Sequence, residues 1–242
     1  MDGDTDLLAD LDLTVRKWDL IDVLRAQTGA TTYAQIVTSS TSPDMLERPE
    51  LTRFATIMSF AYADDAHLRD VPDAACHASL AELTEHIRVV GLRPDILFVD
   101  PWHSYEDSSE VIQLGFDFIR PGGVLVVHDC HPPHRALTIE RPLHPRSWWC
   151  GATWRAFLDF TGGLPPECDW YVVDSDFGMG VVPKTTDIDV RRRVAAAPAV
   201  VPADLDADGA WDWLEANRAT ALRLVPPEVW RSASATVHPV TN

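Results

Sequence analysis

Two apolar runs separated by an amphipathic helix constrain the fold of this chain more than any other sequence feature. Residues 95–100 read DILFVD and residues 123–129 read GVLVVHD. Neither run alternates polar with apolar residues, which is typical of strands buried on both faces. Between them, residues 106–119 have helical periodicity and end at a Pro-Gly-Gly break. A helix between two buried strands predicts a βαβ crossover, and therefore a parallel sheet.

The rest of the chain alternates helical and strand-like segments around this unit. Helical spacing of apolar residues is present at 5–27, 74–91, 151–160 and 211–225, and β-rich runs are present at 32–37, 170–174 and 179–183. The stretch at 49–65 fits a helix that runs into a strand. This order predicts an α/β fold with a doubly wound, mostly parallel, Rossmann-like sheet. The runs at 170–183 are expected to form an antiparallel C-terminal hairpin at the sheet edge.

The same order divides the chain into three parts. We expect an N-terminal helical segment at 1–30, an α/β domain at 31–185, and a linker with a C-terminal helix at 186–242. A chain of 242 residues is the size of one domain with a well-filled core. The C-terminal helix is expected to pack either on this domain or on a second copy of the chain, so a homodimer stays open.

Charge and cysteine content argue against several classes of protein. The formal net charge of -17 repels phosphate backbones, so no nucleic-acid partner is expected. No apolar run approaches the ~18–20 residues that cross a bilayer, and no membrane association is expected. The acidic start MDGDTDLLADLDL lacks the regions of a signal peptide. The cysteines form no CxxC pair, which favours reduced thiols in a cytoplasmic protein.

Acids and histidines follow both of the buried strands. Asp100 and His103 come at and just after the end of the first, and His128 and Asp129 come at the end of the second. Ligands of open parallel sheets bind outside the carboxyl ends of the strands, so these side chains are expected to face one cleft. Carboxylates suit a hard ion such as Mg²⁺, whereas histidines suit a transition metal. The alternative is that they form turns and ordinary histidine–carboxylate pairs.

The stretch DILFVDPWHSYEDSSEVIQLGFDFIRPGGVLVVHDCHPP resembles the fourth- and fifth-strand region of class I S-adenosylmethionine-dependent methyltransferases. It is most similar to a bacterial small-molecule subgroup that carries a VDxxHxY segment and a PGGxxxxHD segment. GATWRAFLDF and VVDSDFGMGVV resemble the later helix and hairpin of that subgroup, and the resemblance spans residues 15–185. It implies a seven-stranded methyltransferase-type sheet with a reversed last hairpin, S-adenosylmethionine as cofactor, and O-methylation of a small acceptor.

The resemblance also suggests a metal. In the catechol O-methyltransferase branch of the family, an aspartate that ends the fourth strand and an Asp-Asn pair after the fifth strand hold Mg²⁺. Asp100 and Asp129 match the two aspartates, but Cys130 takes the place of the asparagine. The resemblance therefore implies Asp100, Asp129 and His128 as ligands of Mg²⁺ or another divalent ion. His103 is an alternative ligand, and a site without metal is the other outcome.

The expected cofactor loop departs from the family pattern. A glycine-rich turn normally follows the first strand, whereas here the run at 32–37 is followed by the glycine-free sequence TSSTS. Either hydroxyl groups replace the backbone contacts to the cofactor, or the site has lost the cofactor. The cofactor-binding candidates are Thr38, Ser39 and Ser40 in this loop, Asp64 or Asp65 for the ribose hydroxyls, and Asp100.

Methyl transfer requires alignment of the acceptor and removal of its proton. His103 is the expected general base because it lies just past the strand-end acid, and His128 is its rival. Further residues are expected near the acceptor or at the surface: His131 and His134 in a loop, and His144, Trp148 and Trp149 around an apolar pocket.

Two other functions stay open. The same scaffold can carry different metal-dependent chemistry, such as that of a hydrolase, a lyase or an oxygenase with a two-histidine, one-carboxylate iron site. The chain can also be a relative that has lost the cofactor, for which the missing glycines are the signature. A nicotinamide-dependent oxidoreductase ranks lower, because no GxGxxG follows any predicted strand.

Overall fold

An eight-stranded sheet forms the centre of the computed structural model, which describes residues 12–38, 48–62, 74–77, 79–91, 93–139, 149–185 and 199–235. From edge to edge the strands are β3 (Ala74–His77), β2 (Thr56–Tyr62), β1 (Thr32–Thr38), β4 (Ile96–Asp100), β5 (Val124–Val127), β7 (Met179–Pro183), β6 (Tyr171–Val173) and β8 (Leu224–Val225). Among the described strands, only β7 runs antiparallel to all of its neighbours, and every other pair of neighbours is parallel. The predicted α/β, mostly parallel, Rossmann-like fold is confirmed.

Helices pack on both faces of the sheet. Within the described residues they are α1 (Lys17–Thr28), α2 (Leu80–Val90), α3 (Tyr105–Phe118), α4 (Thr153–Gly162), α5 (Ala207–Ala221) and α6 (Pro227–Ala235). Local sequence sets their ends. The hydroxyl of Ser104 accepts the backbone N–H of Asp107 at the start of α3, and Gly29 ends α1 in the left-handed conformation. The predicted crossover is therefore β4–α3–β5.

Apolar layers cover both faces of the sheet. On one face α2, α3 and α4 pack on the strands, and Phe116 and Phe157 are among the largest buried side chains. On the other face α1 packs through Leu20 and Ile21, and Trp230 of α6 joins the same layer. Coverage on both faces explains why β4 and β5 are buried at every position rather than at alternate ones.

Three predicted boundaries are wrong. The first helix begins at Lys17, and residues 12–16 before it are not helical. Residues 74–77, expected in a helix, form β3 because they pair with β2, and α2 begins only after its cap at Ser79. The C-terminal helix ends at Ala221, and the residues that follow form β8 and α6 instead of continuing it.

The last hairpin does not end the sheet. β7 pairs with β5, β6 pairs with β7, and the two residues of β8 pair with β6 beyond the hairpin. The strands expected for a seven-stranded sheet with a reversed last hairpin are all present, and β8 is an addition made where the chain returns after α5. Among the described residues, no helix combines the length and apolar character needed to cross a membrane.

Candidate functional site

Four residues predicted at the ends of β4 and β5 lie together at the carboxyl edge of the sheet. Asp100 ends β4, His103 follows it, and His128 and Asp129 follow β5. The Nε2 atom of His103 lies 3.3 Å from Oδ1 of Asp100 and 3.0 Å from Oδ2 of Asp129. The Nδ1 atom of His128 lies 3.0 Å from the same oxygen of Asp129. We call Asp100, His103, His128 and Asp129 the acid–histidine centre.

Two charged residues outside the predicted set also reach this centre. Lys17, the first residue of α1, places its Nζ 3.4 Å from Oδ2 of Asp100. Asp176, in the turn between β6 and β7, places its Oδ1 3.7 Å from Nε2 of His128. No sequence pattern marks either residue as part of a site, because Lys17 is a charged residue at a helix start and Asp176 is a common turn residue.

Two of the aspartates at the centre have a left-handed backbone conformation. Asp129 has a φ of 60° and Asp176 a φ of 50°. Aspartate enters this region more readily than most residues, but the conformation still costs free energy. Such residues concentrate at functional sites, where the surrounding structure holds them in place.

Burial and charge act against each other on the titratable groups. Burial alone would lower the pKa of His103, but the charge of Asp129 and hydrogen bonds with Asp100 and Asp129 raise that pKa to about 9. Burial opposes protonation of His128 too, yet the charge of Asp129 raises its pKa well above the usual value. Burial would raise the pKa of Asp100, but Lys17 and then His128 hold it well below its usual range. The centre therefore combines carboxylates of lowered pKa with histidines of raised pKa.

The segment at 149–152 holds the loop that carries His103. The backbone N–H of Ala152 donates to the carbonyl oxygen of His103 at 2.8 Å. Gly151 has a φ of +54°, and a Cβ there would lie 2.1 Å from that oxygen. The ring of Trp149 packs 4.8 Å from the His103 ring, centroid to centroid. Trp149 thus lies at the centre, whereas His144 and Trp148 fall outside the described residues.

A tyrosine from β2 fixes the other side of the same loop. The hydroxyl of Tyr62 donates to the carboxylate of Asp107, and the backbone N–H of Trp102 lies 3.0 Å from that hydroxyl oxygen. Burial, followed by the charge of Asp107, raises the pKa of Tyr62 far above its usual value, so the hydroxyl keeps its proton. Because β1 lies between β2 and β4, this contact spans the end of β1, where the cofactor is expected.

The structure places only part of the predicted cofactor site. Asp100 lies in the acid–histidine centre, and Thr38 ends β1 next to Val37, which pairs with Asp100. The remaining predicted residues, Ser39, Ser40, Asp64 and Asp65, fall outside the described residues. Their contact with a cofactor stays a prediction.

The cysteine that replaces the expected asparagine points away from the centre. The thiol of Cys130 lies 3.4 Å from the carbonyl oxygen of Val127 and is buried in the core. Cys150 is the thiol beside the centre instead. Burial, followed by the charge of Asp129, raises the pKa of Cys150 well above its usual value, so it stays a neutral thiol there.

Donor atoms for a divalent ion are present in the centre. One carboxylate oxygen each from Asp100 and Asp129 and one ring nitrogen of His103 lie within 4.8 Å of one another. This spacing and donor set fit a single divalent cation. The geometry groups His103 with the two aspartates, whereas the prediction selects His128. The Nδ1 atom of His128 lies 3.7 Å from Oδ2 of Asp100, farther than His103.

A cavity of about 380 Å³ opens next to the turn that carries Asp176. Its wall includes His131, Asp174, Phe177 and Arg218. The Nδ1 atom of His131 lies 2.7 Å from Oδ1 of Asp174, and Arg218 donates to Nε2 of His131 at 2.8 Å. His131 is therefore buried and held in one orientation, whereas His134 in the same loop is exposed.

Comparisons with known proteins give structural similarity alone. Neither family models nor curated proteins yield a match to this chain. The O-methyltransferase from Bacillus cereus in complex with SAH is similar at 14% identity and a TM-score of 0.48, covering 74% of this chain and 86% of that one. TomG from Streptomyces achromogenes, an O-methyltransferase involved in tomaymycin synthesis and solved with SAM, has 16% identity and a TM-score of 0.48, covering 74% and 83%.

A third solved structure is the SAH-bound methyltransferase PaMTH1 from Podospora anserina. It has 15% identity and a TM-score of 0.48, covering 70% of this chain and 78% of that one. At identities and TM-scores this low, the three similarities assign no activity or substrate to this chain.

Proposed function

We propose that this chain is a class I S-adenosylmethionine-dependent methyltransferase that methylates a small molecule on oxygen. The observation that carries the proposal is the acid–histidine centre at the carboxyl ends of β4 and β5, next to a reversed β7. Ligands of such sheets bind at this edge. Asp100, His128 and Asp129 are buried there. A cluster of buried ionisable groups with perturbed pKa values is typical of functional sites.

The reaction needs one proton acceptor. S-adenosylmethionine, when bound, would supply an electrophilic methyl group, and the acceptor hydroxyl that receives it would give its proton to a base of the protein. We assign that role to His103. With a pKa of about 9, His103 holds a proton of its own before the cofactor binds. A positive charge bound beside His103 would lower the pKa of the imidazole and favour the neutral form that accepts a proton.

His128 then has a different role from His103. Its Nδ1 pairs with Asp129 and its ring is buried, so it is less open to an acceptor than His103. We propose that His128 holds the Asp129 carboxylate in position and is the second candidate for proton transfer.

A divalent ion would fit the same centre. Asp100, His103 and Asp129 would hold Mg²⁺ or another divalent cation, with the two carboxylates as the hard ligands. Such an ion, when bound, would lower the pKa of an acceptor hydroxyl, and His103 would then be its ligand and not the base.

We propose that the cavity beside Asp176 holds a part of the acceptor remote from the reacting hydroxyl, because no residue of the acid–histidine centre lines its wall. Its volume of about 380 Å³ suits a small molecule. Phe177 offers an apolar surface, and Asp174, His131 and Arg218 offer fixed polar contacts. An acceptor that carries both an apolar part and hydroxyl groups matches this wall.

A second candidate is metal-dependent chemistry of another kind on this scaffold. The observation that favours it is the group of two carboxylates and one imidazole, a donor set that also holds Fe²⁺ or Mn²⁺. The glycine-free TSSTS sequence after β1 adds support, because it lacks the usual backbone approach to the cofactor.

Calorimetric titration with S-adenosylmethionine separates the two candidates. We expect micromolar binding in EDTA, weakened about tenfold or more in Asp100→Asn and unchanged in Asp204→Asn, which alters an exposed aspartate away from the centre. The titration is repeated with Mg²⁺ and with Mn²⁺. Absence of binding under all three conditions would contradict the methyltransferase and leave the second candidate.

A further inference from the structure

Lys17 is a charged side chain at the centre for which the proposed reaction has no role. Only 17% of its side chain is exposed, although it is the first residue of a helix at the start of the described chain. Its Nζ lies 3.4 Å from Oδ2 of Asp100, whose own side chain is 11% exposed. A lysine at a helix start normally extends into water, so this position requires a specific set of contacts.

The contacts hold both ends of the Lys17 residue. Its backbone N–H donates to Oδ2 of Asp176 at 2.9 Å, which also satisfies one of the free N–H groups at the start of α1. Its ammonium lies 5.5 Å from the centroid of the Phe98 ring and 5.7 Å from that of Trp18. The positive charge is therefore fixed at the centre instead of sampling the solvent.

The ammonium and a divalent ion would share one carboxylate. Oδ2 of Asp100 faces Lys17, while Oδ1 faces His103. The group that suits a metal includes His103, whose ring nitrogen lies 3.3 Å from Oδ1 of Asp100. A metal beside Oδ1 would lie close to the ammonium of Lys17, which is held beside Oδ2 of the same carboxylate. Two positive charges that share one buried carboxylate repel each other strongly.

We propose that Lys17 is the resident counter-ion of Asp100 and that it weakens the binding of divalent cations to Asp100, His103 and Asp129. Lys17 is a positioning residue in this scheme, since it turns Oδ1 of Asp100 toward His103. The inference goes beyond the proposed function, because it requires neither S-adenosylmethionine nor methyl transfer.

Binding of Mn²⁺, followed by electron paramagnetic resonance, tests the proposal on the full chain. We expect Lys17→Met to bind Mn²⁺ at least about tenfold more tightly than the unmodified protein, because the repulsion is removed. Lys17→Arg keeps the charge and is expected to bind as weakly as the unmodified protein. Adding Asp129→Asn to Lys17→Met is expected to abolish the gain, which assigns it to the centre.

Two outcomes would overturn the proposal. One is equal or weaker Mn²⁺ binding in Lys17→Met, including no detectable binding in either protein. The other is a gain that Lys17→Arg shares or that survives Asp129→Asn. Lys17→Gln serves in place of Lys17→Met where thermal unfolding shows that the methionine variant does not fold. Titration of the same samples with S-adenosylmethionine in EDTA keeps failure of this proposal distinct from failure of the proposed function.

Discussion

Asp95 and Asp100 flank the same strand, β4, and are equally buried, with 8% of each residue exposed. At the amino end, Asp95 accepts hydrogen bonds from the backbone N–H groups of Thr31 and Thr32 at 2.7 and 2.8 Å. The guanidinium of Arg120 pairs with its other oxygen. At the carboxyl end, Asp100 meets ionisable side chains instead, with Lys17 at 3.4 Å and His103 at 3.3 Å.

The two sets of partners distinguish a carboxylate that stabilises the fold, Asp95, from one that is available to a ligand, Asp100. Backbone donors cannot leave Asp95 without unfolding the start of β1, so its carboxylate is fixed. The partners of Asp100 are side chains that rotate, exchange protons or yield to another cation. A buried carboxylate held by backbone donors therefore indicates structure, and one held by ionisable side chains indicates function.

The largest expected effect is at the amino end. Asp95→Ala removes the charged acceptor of two backbone N–H groups at the start of β1 and the partner of Arg120, so we expect a loss of about 3 kcal/mol in the free energy of unfolding. Urea unfolding measures it, with Asp204→Ala as the exposed control. A loss comparable to that of the control would mean that the threonine hydrogen bonds contribute little, and the comparison would fail.

The carboxyl end should respond to alkali. The pKa of His103 is raised to about 9 in the folded chain, above its ordinary value, so its charge stabilises the fold below about pH 6.5 and this contribution is lost as pH rises through 9. His103→Gln should therefore cost about 2 kcal/mol near pH 6 and progressively less toward pH 9. Urea unfolding of both proteins across this range checks the trend. A constant difference would show that charge is not the cause.

The smallest expected effect is that of Asp100→Asn. Asn loses the charge attraction to Lys17 and His128 that keeps the pKa of Asp100 low, but its amide can still hydrogen-bond to these partners, so we expect a loss of about 1 kcal/mol in the free energy of unfolding at pH 7. Thermal unfolding beside Asp95→Asn provides the matched comparison. If Asp100→Asn were the more damaging of the two, the assignment of structural and functional ends would be reversed.

Sequence patterns predict the central strands of the sheet better than its two edge strands. The runs at 95–100 and 123–129 are buried on both faces, and their lack of alternation is visible in any single sequence. β3 is missed because Ala74–His77 has no strand pattern of its own and becomes a strand only by pairing with β2. β8 is missed for the same reason, since its two residues are defined by their partner β6.

The site divides in the same way. Asp100, His103, His128 and Asp129 lie next to recognisable strand ends, so parallel-sheet geometry predicts that they meet. Lys17 and Asp176 lie 159 residues apart, and no spacing in the sequence relates them. Their presence follows from the packing of α1 beside the β6–β7 turn, which only the folded structure reveals.

The turn between β6 and β7 also binds the residues that precede α1, although the two segments lie far apart in the sequence. The carbonyl oxygen of Asp12 accepts the backbone N–H of Asp176 at 2.8 Å and the hydroxyl of Ser175 at 2.8 Å. The backbone N–H of Val15 returns a bond to that hydroxyl at 3.2 Å. On a ribosome, α1 would emerge long before this turn exists. The nascent chain would therefore contain the acids and histidines of the centre before it contains the turn that holds Lys17 beside them. The ammonium of Lys17 would join the centre only when the β6–β7 hairpin forms.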